Sequence, residues 1–102
     1  VSPTRIARHG WALVRGSAEE RINLRNARYR DDPTPLDDSI NLPCSNDFSK
    51  AYLHHLLKVD ELLAQQIITQ HNVAVITRLM REVRTAIKDG TLDQLEKEWL
   101  PA

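Results

Sequence analysis

The stretch FSKAYLHHLLKVDELLAQQIITQHNVAVITRLMREVRTAIKDG, residues 48–90, decides the fold class. Phe48, Tyr52, Leu56 and Val59 recur at i, i+4, i+8 and i+11, which is one stripe of a helix. Ser45, Asn46 or Asp47 is placed to cap its start. Leu62, Leu63, Ile67 and Ile68 form a second apolar set. A third helix is expected after Asn72, with Val75, Ile76, Leu79, Met80, Val83 and Ile87 on one face. Gly90 is the residue expected just past its end. "TLDQ", residues 91–94, reads as a capping box that opens a last short helix through Leu95 and Trp99, stopped by Pro101.

Upstream the pattern changes. Residues 1–10, "VSPTRIARHG", read as a loop bounded by Pro3 and Gly10. "WALV", Trp11 to Val14, is a short strand, "GSAEE", residues 16–20, a turn, and "RINLRNA", with alternating Ile22 and Leu24, a second strand. Together they predict a hairpin. Residues 31–46 carry Pro33, Pro35 and Pro43 among carboxylates and amides, and read as irregular. The expected class is α+β, a short N-terminal β element followed by three to four helices. Residues 1–102 are read as one unit: an arginine-rich loop and β element (1–30), a proline-rich bridge (31–46) and a helical part (47–100). A chain of 102 residues is one domain at most, or part of a larger one. Its apolar fraction of 41% allows only a thin core, so packing against further protein would help.

Composition excludes some classes. No run of about 18 apolar residues exists, so no membrane span is expected. The start has no charged-then-apolar leader. The single cysteine, Cys44, cannot form an internal disulfide, which fits a reducing, cytoplasmic setting. Net charge is zero but unevenly spread. Residues 1–30 hold seven arginines against Glu19 and Glu20, so 7 − 2 = +5; residues 31–102 hold seven basic and twelve acidic residues, so 7 − 12 = −5. An arginine-only cationic end suits bidentate contacts to phosphate or guanine edges and points to RNA. A solvated face ion-paired to the acidic remainder fits the charge equally well.

Catalytic patterns are missing. No Ser-His-Asp or Cys-His arrangement is legible, and the three glycines are isolated, so there is no phosphate-cradling loop. Asp31–Asp32 and Asp37–Asp38 stand beside prolines and read as turn formers. Cys44 with His54 and His55 is too small a set for a closed metal site.

The segments "PTRIARHG", "INLRNARYRDDPTPLD", "FSKAYLHHLLK", "QHN" and "RLMREVRTAI" resemble, in order, the C-terminal part of the tRNA-guanine transglycosylases, the queuine or preQ1 tRNA-ribosyltransferases. The resemblance covers nearly the whole chain, with a small length difference around residues 16–21. It implies the end of a (β/α)8 barrel together with a zinc-binding insertion. It also implies an activity: exchange of the wobble guanine of certain tRNAs for a 7-deazaguanine, through an aspartate that attacks C1′ of the ribose.

Carried over residue by residue, the family's D-C-V-x-P-T-R context matches Val1-Ser2-Pro3-Thr4-Arg5 at its end. The nucleophilic aspartate would lie two residues before Val1. Arg5 and Arg8 match arginines that read the anticodon bases beside the exchanged guanine. Arg25 and Arg28 are expected to pair with Asp31, Asp32 or the barrel. The family's zinc motif, C-x-C-x-x-C and a later histidine, falls on Ile40, Leu42, Ser45 and His71, and Cys44 stands one residue off register. The thiolates are gone, so no zinc cofactor is expected, Ile40 and Leu42 are expected to fill the space, and His71 is expected to serve as a helix-cap or core residue. Phe48, Tyr52 and His55 match a homodimer contact, while His54 and His55 otherwise read as surface positions. The expected partners are a tRNA anticodon loop and a second subunit or catalytic barrel. The alternative is a stand-alone, zinc-free, non-catalytic remnant that serves as an interaction module in another complex.

Overall fold

The computed structural model describes residues 3–14, 21–37, 40 and 42–99. The element order is α1 (Pro3–Arg8), β1 (Trp11–Leu13), β2 (Arg21–Asn23), a 3-10 turn (Ala27–Tyr29), α2 (Pro43–Asn46), α3 (Lys50–Lys58), α4 (Leu62–Asp89) and α5 (Leu92–Trp99). The class is α+β, as expected. Among the described residues there are five α-helices instead of three to four.

The hairpin forms as the alternation predicts. β1 and β2 pair antiparallel with Trp11 opposite Asn23, Ala12 opposite Ile22 and Leu13 opposite Arg21. The "GSAEE" turn lies outside the described residues. Residues 1–10 are not simply a loop, because Pro3 opens a six-residue helix. Proline suits a first helical turn, where its fixed φ is pre-set for the helix and its missing N–H would have had no partner. Gly10, at φ +87°, then turns the chain into β1.

α3 starts later than its apolar stripe implies. Ser49 is the N-cap, and its Oγ accepts the Tyr52 N–H at 3.0 Å. The first free N–H groups of α3 find partners in the proline-rich bridge: Lys50 N–H donates to Thr34 O and Ala51 N–H to Asp32 O. The buried face is Leu53, His54, Leu56 and Leu57, whereas Tyr52 and Val59 are exposed. The stripe was misphased because its first member, Phe48, precedes the helix. Asp60, at φ +58°, makes the turn into α4.

α4 runs unbroken for 28 residues through Asn72, where a new helix was expected. At 1.5 Å per residue it is about 42 Å long, nearly the full 46 Å of the molecule. Gly90, at φ +70°, closes it as expected. The core lies against its first half. Leu24, Leu53 and Ile68 are fully buried, with Ala7, Ala12, Tyr29, Leu36, Leu56, Leu57, Ala64 and Ile67 around them. Leu62 and Leu63 of the second apolar set remain exposed. Among the described residues, no helix is long and apolar enough to cross a membrane.

Candidate nucleic-acid interface

Arg5 and Arg8 are three residues apart on α1, so they share a helix face, and both side chains are exposed. The opposite face carries Ala7, fully buried against α4. A side chain no larger than alanine there lets the two helix backbones approach closely.

A pair of polar side chains in the middle of α4 fixes the elements around it, and one of them, Asn72, holds α1. Asn72 is fully buried. Its Oδ1 accepts the Leu13 N–H at 2.9 Å, and its Nδ2 donates to Trp11 O at 3.1 Å and to Pro3 O at 3.3 Å. His71, also fully buried, lies with Nε2 2.8 Å from Leu13 O and Nδ1 2.8 Å from Ser45 Oγ. A carbonyl only accepts, so Nε2 carries the proton and Nδ1 accepts from the Ser45 hydroxyl. Burial pushes the His71 pKa below its usual 6.5, while the bond to Leu13 O and the nearby Asp37 push the other way. The balance favours the neutral ring.

β1 uses one edge for β2. On its other edge Trp11 O, Leu13 N–H and Leu13 O are met by these two side chains, which stand in for a neighbouring strand. One joint therefore ties α4 to α1, β1 and α2. Sequence reasoning missed Asn72 as a structural residue and took it for a break; a polar His-Asn pair inside an apolar helical pattern was the available signal.

The arginines of the first 30 residues divide by environment. Arg21 lies over the Trp11 ring at 4.6 Å and Arg28 over Tyr29 at 5.2 Å, so each is engaged by an aromatic face. Arg15 lies outside the described residues. Asp32 forms a local turn, its carboxylate accepting from the Thr34 backbone N–H and hydroxyl, and those bonds hold its pKa below the usual range. His54 is not a surface position: it is buried, with Nδ1 2.8 Å from Leu24 O. His55 is exposed.

The queuine tRNA-ribosyltransferase family model matches residues 1–102. The chain belongs to the queuine tRNA-ribosyltransferase family. It is 48% identical over 102 residues to a queuine tRNA-ribosyltransferase of Roseiflexus sp. (strain RS-1), covering 98% of this chain and 25% of that protein. It is 46% identical over 90 residues to one of Agrobacterium fabrum, covering 88% of this chain and 23% of that protein. A third, from Synechococcus sp. (strain CC9902), is 44% identical over 99 residues. The chain spans about a quarter of the length of these relatives.

The zinc site implied by the queuine tRNA-ribosyltransferase resemblance is tested by the groups at its four positions. Ile40 is buried and has no donor side chain. Leu42 is 45% exposed, so it does not fill the space as expected. Ser45 and His71 are bonded to each other, and the second ring nitrogen of His71 is bonded to Leu13. Cys44 is buried with its Sγ 3.6 Å from Ser45 Oγ. Among the described residues no three of His, Cys, Asp or Glu gather within reach of one ion. This donor set does not fit a closed site of three thiolates and one imidazole. His71 lies inside α4, as a core residue and not a cap.

The three residues matched to the family's subunit contact lie together on and beside α3. Phe48 and Tyr52 stack at 5.8 Å with 16° between their planes; Phe48 packs against the core, and Tyr52 is 41% exposed.

Proposed function

We propose that this chain is the C-terminal part of a tRNA-guanine transglycosylase. It supports wobble-guanine exchange in queuosine tRNA modification and contributes contacts to tRNA and to a second subunit, with no catalytic group of its own. The observation that carries the reading is α1. The "PTRIAR" motif forms a helix that exposes Arg5 and Arg8 on one face, while its other face is buried. Their planar guanidinium groups suit the exposed base edges of an anticodon loop.

On this reading residues 1–102 are one unit at the end of a (β/α)8 barrel, in the cytoplasm, with the zinc of the family replaced by the Ser45–His71–Leu13 bonds. Phe48, Tyr52 and His55 meet a second subunit, where an exposed aromatic is a good anchor. The test is tRNA binding by Arg5→Ala plus Arg8→Ala in the complete protein. Affinity is expected to fall, with loss of discrimination between cognate and altered anticodons. Unchanged affinity and salt dependence would remove the RNA role from α1.

A second reading rests on the missing thiolates at residues 40, 42 and 45: a zinc-free family remnant that acts as an assembly module. Guanine exchange by the complete native polypeptide separates the two, since the remnant has none.

A further inference from the structure

Among the described residues, two arginines of the first 30 positions remain after the aromatic-bound arginines and α1 are set aside, and folding brings Lys58 of the helical part to them. Arg25 and Arg30, at the corner that follows β2, and Lys58, in the last turn of α3, line one open pocket of about 360 Å³ with Ala27 and His54. Among the described residues no carboxylate lines it. All three cations are exposed, and none makes an ion pair with a described residue. Like charges gathered in one pocket repel unless an anion lies between them.

The pocket is built into the fold. His54 is 7% exposed, and its ring is oriented by the bond from Nδ1–H to Leu24 O. No described residue bonds its Nε2, which leaves that atom for the pocket. Arg25 is seated by Gly10. A Cβ added at Gly10 would stand 2.9 Å from Arg25 Cγ and 3.3 Å from its Nε, so only glycine leaves room for the arginine stem. The residue that turns α1 into β1 thus also fixes the direction of Arg25.

We propose that Arg25, Arg30, Lys58 and His54 form a phosphate-binding pocket that holds a backbone phosphodiester of the RNA whose bases meet Arg5 and Arg8. The proposal rests on the tRNA reading above and deepens it, because base-edge contacts specify while phosphate contacts set register. Two contact sets of different kinds fix the loop's orientation, which one pair of arginines on a short helix does not.

The test uses the complete protein and a fluorescent anticodon stem-loop RNA, titrated between 50 and 200 mM salt. For Arg30→Gln and Lys58→Gln, separately and together, binding weakens equally for cognate and altered anticodons. The slope of log K against log salt becomes shallower by about 0.7 to 0.9 for each contact removed. Gly10→Ala, which displaces Arg25, moves the slope in the same direction. Circular dichroism of each variant verifies the fold, and the surface glutamine variants serve if Gly10→Ala does not fold. An unchanged slope in the glutamine variants, with Arg5→Ala plus Arg8→Ala still losing discrimination, overturns the pocket and leaves the tRNA reading standing. No effect from either set overturns both. A parallel titration with inorganic phosphate separates the sources. Phosphate binding that the glutamine variants abolish while RNA binding is untouched would make this a small-anion site and overturn the proposal.

Discussion

The two halves of α4 have similar apolar spacing and opposite fates. Residues 62–75 bury Ala64, Ile67, Ile68, His71, Asn72 and Val75, whereas residues 76–89 bury only Ala86. Through His71 and Asn72 the first half is bonded to α1, β1 and α2. A cleft of about 960 Å³ runs from Gln70, Val73 and Ala74 along the second half, and is lined also by α5, Ile40 and Leu42. Met80 and Ile87 remain 58% and 65% exposed. Spacing therefore tells which face of a helix is apolar, not whether a partner is present. The second half leaves large apolar side chains exposed along its length.

The comparison breaks or sharpens under substitution. The largest effect is expected from Ile68→Ala, which empties a fully buried site and costs about 3 kcal/mol. The matching change Ile87→Ala costs within about 0.5 kcal/mol. Denaturant unfolding measures both, and equal costs would erase the distinction between the halves. If further protein covers the second half, Ile87→Ala becomes costly in the complete protein alone.

Asn72→Ala comes next, at about 2 kcal/mol, because it leaves Leu13 N–H, Trp11 O and Pro3 O without their partner. Faster hydrogen exchange at the Leu13 amide locates the loss. Gly90→Ala, at φ +70° with open space around it, is expected to cost about 1 kcal/mol from backbone strain alone. A cost near zero would mean that α4 ends elsewhere.

The mildest probe is pH. Because folding depresses the pKa of the basic His71 below the unfolded value of 6.5, the unfolded chain binds the proton more readily. The stability linked to His71 is full above pH 6.5 and declines as pH falls from there toward the lower folded value. His71→Gln should flatten that decline. A stability curve with the same slope in both proteins would remove His71 as its source.

Much of this was legible in the sequence, for local reasons. The short apolar run Trp11–Val14 and the alternation of Ile22 and Leu24 marked the hairpin, and Gly90 marked the end of α4 through its own backbone preference. The α1 helix was hidden by Pro3, which reads as a loop signal although it also suits a helix start. Phe48 and Tyr52 drew the α3 stripe off the buried face, because an exposed tyrosine stacked on a half-buried phenylalanine has the same spacing as a core pair. The His71–Asn72 joint was the least legible part. Apart from Ser45, its partners are backbone groups 58 to 69 residues away, and backbone groups leave no signature of their own in a sequence. Likewise Arg25, Arg30 and Lys58 are brought together only by folding, while Arg5 and Arg8, in a segment that read as a loop, were singled out by the resemblance and share a helix face only in the fold.

The side-chain cover on the outer edge of β1 has one more effect. A short exposed strand invites an extended segment of another molecule to add to it, which is how many proteins begin to aggregate. Here the edge groups at Trp11 and Leu13 are already taken by His71 and Asn72, which belong to a helix and cannot extend the sheet. The hairpin therefore offers β1 to no intruder, and strand addition is left only the far side of β2.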